Sequence, residues 1–159
     1  MRRIARTFAY LVASAVLLAL PNSASAKNIA DTQMKFPISL SATNECNGEL
    51  VDFSGELHVH VHATLNNDGS TSYAADVNYS DAKGVGETTG DSYVFGSNSH
   101  TVTTYPAGST SFYTYTQRQT SKLVSPGSDP NQHFTFLLDY VLDATGFHIT
   151  LYDFELRCN

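Results

Sequence analysis

Hydrophobic and polar residues alternate strictly along one long segment, residues 51–65. Most of its odd positions are apolar, whereas its even positions are polar and include His58, His60 and His62. A period of two is typical of a β-strand that has one face in a core and the other in solvent. The pattern therefore predicts a long strand that hides its valines and exposes its imidazoles.

A second alternating segment follows the turn-forming sequence Asn-Asn-Asp-Gly-Ser at residues 66–70. A five-residue loop places Val59 opposite Val77, whereas a four-residue loop would place Val59 opposite Asp76 and bury a carboxylate. Because a slip of one residue moves every side chain to the other face, we predict the five-residue hairpin. In that register, Asp76 lies beside His60 on the polar face.

Alternating segments continue to the end of the chain and are separated by short turns. No segment after residue 26 has the period of a helix, so we predict an all-β domain. The strands are long and follow one another directly, which favours an antiparallel up-and-down meander that closes into a small barrel. A β-sandwich is the alternative. The later predicted strands are residues 91–105, 111–124, 134–142 and 147–158, the last with a β-bulge near Tyr152.

Residues 1–26 have the features of a secretory signal: three arginines at the start, an apolar run and a small-residue cleavage site. The apolar run, residues 8–20, is shorter than the roughly 20 residues that a membrane span needs. We therefore predict a cleaved signal helix and a secreted or periplasmic mature chain without a membrane span. Residues 27–45 are expected to form a mobile lead-in with at most a short strand at 36–42, and residues 46–159 a single β domain.

The charge balance argues against one class of partner. Residues 1–26 contain three of the nine basic residues and none of the fifteen acidic ones, so the remaining chain has six basic residues and a net charge of −9. A chain this acidic is not expected to bind nucleic acid or an anionic membrane surface.

The chain has two cysteines, Cys46 and Cys158. In a secreted protein, such a pair predicts a disulfide, which would stabilise the fold by about 4–5 kcal/mol in the chain-entropy model. Cys46 precedes the long strand at residues 51–65, and Cys158 ends the last strand. If the two cysteines are bonded, the start of the first of these strands and the end of the other must lie at the same rim of the barrel. An even number of strands must therefore separate them, and six result if residues 91–105 form one strand.

The three histidines share one strand face, and two of them can converge on one ion. Imidazole and carboxylate ligands suit Cu²⁺ or Zn²⁺, and Asp76 is the neighbouring carboxylate. The hypothesis is a surface site made of His58, His60 and Asp76, or of His60, His62 and Asp76. The alternative is that these residues decorate a solvated face, with His60 and Asp76 as an ordinary cross-strand pair.

Catalytic motifs are missing from the sequence. There is no G-x-S-x-G and no H-E-x-x-H, and the outward pair Asp52 and Glu56 lacks the cleft that glycoside hydrolysis requires. We therefore assign no catalytic residue and no cofactor beyond the candidate metal ion. Several aromatic residues are expected to fill a small barrel and leave little lumen: Phe53, Tyr73, Tyr79, Phe134, Phe136, Tyr140 and Phe154.

Four short sequences carry a resemblance to known proteins. They are Cys-Asn-Gly-Glu at 46–49, Gly-Glu-Leu-His at 55–58, the GxGxxTGxxY pattern at 84–93 and the closing FxxxC pattern at 154–158. Through these four sequences, residues 46–158 resemble a family of uncharacterised secreted bacterial all-β proteins. The resemblance implies export and a disulfide between the two cysteines, and it implies no activity or cofactor.

Three functions fit these observations. The leading hypothesis is an exported non-enzymatic β-barrel that binds a protein, a glycan or a small ligand. The second is a periplasmic Cu/Zn-binding protein that uses the histidine strand, and the third is an isomerase- or cyclase-like enzyme working in the barrel mouth. An open polar mouth above about 300 Å³ would favour the third, and a solid core with flat outer faces would favour the first.

Overall fold

The computed structural model describes residues 26–127 and 130–159, and within these nothing is said of the Asp81 side chain. The predicted signal segment therefore lies outside the described residues, except for Ala26. Among the residues described, no helix is long and apolar enough to cross a membrane. Within the described ranges there are seven strands: β1 (Lys27–Asn44), β2 (Glu49–Leu65), β3 (Thr71–Gly86), β4 (Ser92–Tyr105), β5 (Tyr113–Val124), β6 (Gln132–Asp143) and β7 (Gly146–Cys158).

The strands form one antiparallel sheet in chain order, which confirms the all-β meander. The sheet curls into a partial ring instead of a fully paired barrel, because in the described chain no hydrogen-bonded ladder joins β1 to β7. The number of strands explains the gap. In a seven-stranded meander the first and last strands run in the same direction, so they would have to pair in parallel to close the ring.

One rim of the ring is joined by the predicted disulfide, which is confirmed. The Cα atoms of Cys46 and Cys158 are 5.6 Å apart, and six strands, β2 to β7, lie between them as predicted. The side-chain amide of Asn44 donates a hydrogen bond to the carbonyl of Pro130 over 2.9 Å and links the same two regions. We call this end the disulfide rim and the opposite end the mouth.

The core lies next to the disulfide rim. Val51, Phe53, Tyr93 and Leu123 are 0–3% exposed and form one cluster. Gly84 allows this packing, because a Cβ at that position would lie 2.6 Å from Cδ1 of Phe53. We call the side of the sheet that carries this cluster the inner face and the opposite side the outer face.

Two of the sequence motifs, Cys-Asn-Gly-Glu at 46–49 and the pattern at 84–93, meet at the disulfide rim. The buried carboxylate of Glu49 accepts hydrogen bonds from the backbone N–H groups of Thr88 and Thr89, over 2.9 and 3.0 Å. Gly86 leaves room for it, since a Cβ there would lie 2.2 Å from Oε1 of Glu49. A buried carboxylate needs such donors, so the glycines and threonines of the 84–93 pattern support the glutamate of the first motif.

The β2–β3 hairpin has the predicted five-residue connection and register. Val59 pairs with Val77, and His60 pairs with Asp76. Residues 91–105 also form a single strand, β4, as the strand count requires. In β7 the predicted bulge is present but lies closer to the turn, because the register shifts opposite Asp139 and Tyr140 and makes Thr150 the extra residue.

The prediction for residues 27–45 was wrong over most of its length. Residues 27–35 are not a mobile lead-in, because β1 pairs with β2 from Lys27, opposite Leu65, to Asn44, opposite Glu49. The whole strand is held by main-chain hydrogen bonds to β2, which leave no trace in the side-chain pattern. β1 is an edge strand with both faces exposed over its first half, so alternation is weak there.

Candidate functional site

The sequence-predicted metal residues lie on the outer face of β2 and β3. His60, His62 and Asp76 come together, because one ligand atom from each lies within 4.8 Å of those from the other two. The imidazole rings of His60 and His62 are 5.6 Å apart between centroids. These side chains are half-exposed, with the His60 side chain at 37% and that of Asp76 at 51%.

His58, the remaining predicted ligand, is directed elsewhere. Its Nε2 forms an ion pair with Glu56 and lies 3.1 Å from the hydroxyl of Ser80. The hydrogen bond with His58 is the main reason that the pKa of Glu56 is lowered; burial opposes it, and the positive charge of Lys35 adds to it. Of the two predicted ligand sets, the structure therefore assembles the one with His60, His62 and Asp76.

Two further residues contact this group, and the sequence alone did not identify them. Nε2 of His60 lies 2.8 Å from Oδ1 of Asp31, and Nδ1 of His100 lies 2.6 Å from Oδ1 of Asp76. Asp31 was missed because its segment was predicted to be a lead-in. His100 pairs with Asp76 across β3 and β4. The sequence pattern does not predict this pair, because the register between the two strands shifts after Tyr79.

The second candidate site is the mouth, on the inner face. Five tyrosines and one phenylalanine form a continuous series of ring contacts there, which we call the aromatic arc: Tyr73, Tyr105, Tyr113, Tyr115, Tyr140 and Phe147. Neighbouring centroids are 4.8–5.9 Å apart, typical of favourable aromatic pairs. Because strands of a meander alternate in direction, these positions near strand ends all fall at the same end of the ring.

An open cavity of about 670 Å³ begins at the arc. Tyr73 and Tyr105 line it together with the hydroxyl residues Thr71 and Thr103 and residues of the two adjoining turns. The expectation that aromatic side chains fill the lumen was therefore wrong at this end. Tyr73 is on the inner face but is 46% exposed, because the partial ring does not bring a further strand over it.

A line of amide and hydroxyl groups runs from the arc toward the core along β5. The Tyr115 hydroxyl donates to Gln117 over 3.0 Å, and the Gln117 amide donates to Gln119 over 3.5 Å. Gln119 in turn donates to the hydroxyls of Ser97 and Ser121 over 3.4 and 3.3 Å. The inner face thus offers hydrogen-bonding groups in its middle and aromatic rings at its mouth.

The inner face is uncharged over four successive rows between the core and the mouth. The rows of paired residues that pass through Leu57, Val59, Val61 and Ala63 contain no Asp, Glu, Lys, Arg or His from β1 to β7. Residues that pair directly across antiparallel strands share a face. Over these four rows, the charged residues of the strands consequently lie on the outer face, whereas Glu49 and Lys27 lie on the inner face beyond the two ends of the rows.

Two phenol groups of the arc, those of Tyr140 and Tyr115, have raised pKa values. A hydrogen bond to the Tyr113 hydroxyl, partial burial and the neighbouring phenols raise the pKa of Tyr140 to about 12. Burial also raises the pKa of Tyr115. Tyr115 and Tyr140 therefore act as uncharged aromatic surfaces and hydrogen-bonding groups.

Comparisons with known proteins add no assignment. No protein-family model, no curated protein and no solved structure matches the chain.

Proposed function

We propose that the protein is an exported, non-enzymatic binding protein whose ligand site is the mouth of the partial ring. The ligand class that fits best is a neutral saccharide. The observation that carries this proposal is the lining of the mouth, which combines an aromatic arc with amide and hydroxyl groups and lacks charge over the described rows.

The absence of charge in these rows selects for a neutral ligand. A charged group that enters a concave site loses hydration, and it regains that free energy only from an opposite charge or from several hydrogen-bond donors or acceptors. The four inner rows through Leu57, Val59, Val61 and Ala63 provide no opposite charge. An uncharged molecule avoids this cost.

The combination of rings and amides favours a saccharide among neutral ligands. A sugar ring has one apolar C–H face that can stack on a tyrosine, and its hydroxyls both donate and accept hydrogen bonds. Tyr105 and Tyr113, with centroids 5.5 Å apart, offer two adjacent aromatic surfaces. Gln117 and Gln119 supply side-chain amides, which also donate and accept, on the same face.

The cavity at the mouth, about 670 Å³, is above the roughly 300 Å³ that would favour an enzyme of isomerase or cyclase type, but its chemistry favours binding. Proton transfer near neutral pH needs a group with a pKa near the operating pH. The titratable groups of the arc are phenols, and the pKa values of Tyr115 and Tyr140 are raised above the usual range for tyrosine. They are suited to hydrogen bonding and poorly suited to proton abstraction at pH 7.

Export is supported by the disulfide and by the predicted signal segment. Disulfides persist in oxidising compartments, and the bond between Cys46 and Cys158 joins the two ends of the six-stranded unit β2 to β7. A ligand encountered there would come from the cell surface or the surroundings. Polysaccharide fragments meet that condition.

The test is a binding screen with a panel of neutral and charged oligosaccharides. Tyrosine fluorescence is a direct readout, because the chain contains no tryptophan. We expect a neutral oligosaccharide to bind and Tyr105→Ala to weaken binding at least about tenfold, since truncated aromatic anchors dominate binding energies. Tyr105→Phe should keep most of the affinity if stacking is the main contribution.

Tyr152→Ala is the matched control. Tyr152 is 62% exposed and contacts Phe136 but no ring of the aromatic arc, so its loss should leave binding unchanged. The proposal is rejected if no neutral saccharide binds, if acidic saccharides bind more tightly, or if Tyr105→Ala and Tyr152→Ala weaken binding equally.

A further inference from the structure

We infer that His60, His62 and Asp76 form a binding site for a divalent transition-metal ion, Cu²⁺ or Zn²⁺, on the outer face of the sheet. This site goes beyond the proposed function, because it lies on the face opposite to the mouth. It requires no contribution from a saccharide.

The positions of the three ligands follow from the β2–β3 register. His60 and His62 are two residues apart on one strand and point to the same side, and Asp76 pairs with His60 on the next strand. Their ligand atoms already lie within 4.8 Å of one another. Around an ion with bonds of about 2.0–2.2 Å, the ligand atoms are about 3–4 Å apart. Side-chain rotations that move these atoms by about 1 Å therefore complete the site.

The ligand types suit these metals. Two imidazoles and a carboxylate are a common protein ligand set for Zn²⁺, with water at the fourth position, and imidazole also suits Cu²⁺. The exposure of the side chains, 37% for His60 and 51% for Asp76, leaves a path for the ion and a position for the water. Cu²⁺ should bind more tightly than Zn²⁺, following the general order of divalent ions.

The hydrogen bonds behind two of the ligands distinguish this group from a set of solvated side chains. The Asp31 carboxylate accepts the Nε2–H of His60 over 2.8 Å, which leaves the lone pair of Nδ1 for the ion. His100 holds Oδ1 of Asp76 over 2.6 Å and leaves Oδ2 available. Such outer partners orient metal ligands and typically contribute 10–100-fold to affinity.

The charges in direct contact with the ligands favour a cation, and Arg118 lies farther along the row, beside His100. Asp31 and Asp76 together supply two negative charges next to the imidazoles. Lys35, the nearest amine on β1, is engaged 3.4 Å from Glu56, which also pairs with His58. Glu56 thus draws both Lys35 and His58 away from the proposed site.

The experiment is a calorimetric titration of the disulfide-bonded protein, prepared without a histidine tag, with CuCl₂ and with ZnCl₂. We expect one ion per chain with a dissociation constant below about 10 μM for Cu²⁺. His60→Ala and His62→Ala should each weaken binding at least about tenfold. Electron paramagnetic resonance of the Cu²⁺ complex should show two coordinated nitrogens, and His62→Ala should reduce them to one.

His58→Ala is the matched control, because it removes a histidine from the same strand face that is bound to Glu56 and Ser80 instead. It should leave the affinity unchanged. Asp31→Asn tests the positioning role. It should lower affinity about tenfold while the free energy of unfolding without metal stays the same.

Three results would overturn the inference. They are Cu²⁺ binding weaker than about 10 μM, equal losses for His58→Ala and His60→Ala, and a copper spectrum without nitrogen coupling. The first rejects the site, the second assigns binding to the histidine face in general, and the third places the ion elsewhere. None of these results depends on whether a saccharide binds in the mouth.

Discussion

The two faces of the same strands carry different chemistry. On the inner face, the rows through Leu57 and Val59 are uncharged from β1 to β7. On the outer face, one position along, the row through His60 contains Asp76, His100 and Arg118. A period of two therefore places two different surfaces on one sheet, one without charge in these rows and the other with histidine, carboxylate and guanidinium groups.

The difference matters because the described strands form a single curled sheet, and no second sheet packs against either face. In a small closed barrel whose interior is filled by side chains, the inner face would be a packed core. Here the ring is packed at the disulfide rim, where Phe53 is 2% exposed, and open at the mouth, where Tyr73 is 46% exposed. The partial closure therefore makes the inner face available as a site.

The largest expected effect comes from removing the bond that holds the ring curled. Replacing both cysteines, Cys46→Ser with Cys158→Ser, should lower the free energy of unfolding by about 4–5 kcal/mol, because the bond closes a loop with a sequence separation of 112. Urea unfolding measures this loss, and a dye that binds apolar surfaces should report exposure of the inner face. A loss below about 1 kcal/mol would show that the strand ladders alone keep the ring curled.

A charge placed on the inner face tests the contrast more directly. Ser97 is 2% exposed and its hydroxyl lies 2.7 Å from that of Ser121, so the carboxylate of Ser97→Asp would lose its hydration. We expect a cost of about 3 kcal/mol in urea unfolding. The adjacent Asn98→Asp, exposed on the outer face, should change stability by less than about 0.5 kcal/mol. Similar costs at both positions would remove the distinction between the faces.

A smaller effect is expected from adding a methyl group to each face. Gly84→Ala directs a Cβ inward, 2.5 Å from the carbonyl oxygen of Asp52, and should cost about 1–3 kcal/mol. Gly96→Ala directs a Cβ to the outer face, where no atom lies within 4 Å. That variant should be neutral or slightly stabilising, because alanine restricts the unfolded chain. Thermal unfolding of the pair gives the comparison, and an equal loss would contradict it.

The sequence predicts the parts of the structure in which one face is buried and the other is not. The β2–β3 register was predictable because the alternative opposes Val59 and Asp76, a conflict that a single sequence displays. The disulfide and the strand count could be predicted together, since each constrains the other. The first half of β1 could not be predicted, because an edge strand exposed on both sides has no reason to alternate.

The sites were predictable in unequal parts. His60, His62 and Asp76 follow from one hairpin, whereas His100 needs the β3–β4 register, which shifts between Tyr79 and Ala82. The aromatic arc spans four hairpins, yet the sequence contains a pattern from which it could have been predicted. Tyr105 and Tyr113 flank one turn, and in a meander that turn shares a rim with the turns after β2 and β6. The openness of the mouth could not be predicted from the sequence, because strand patterns do not show whether a ring of strands closes.

The smallest expected effect concerns the pH dependence of the mouth. Because the folded state raises the pKa of Tyr140 from 10.0 to about 12, it keeps this proton at pH values where the unfolded chain has lost it. The contribution is therefore complete below pH 10 and is lost as the pH rises from 10 toward 12. Unfolding measured across that range should show a shallower decline for Tyr140→Phe than for the exposed control Tyr152→Phe. Equal slopes would mean that the arc does not hold the phenol neutral. The inner face would then owe its lack of charge to residue type alone, and its tyrosines would titrate like those in water.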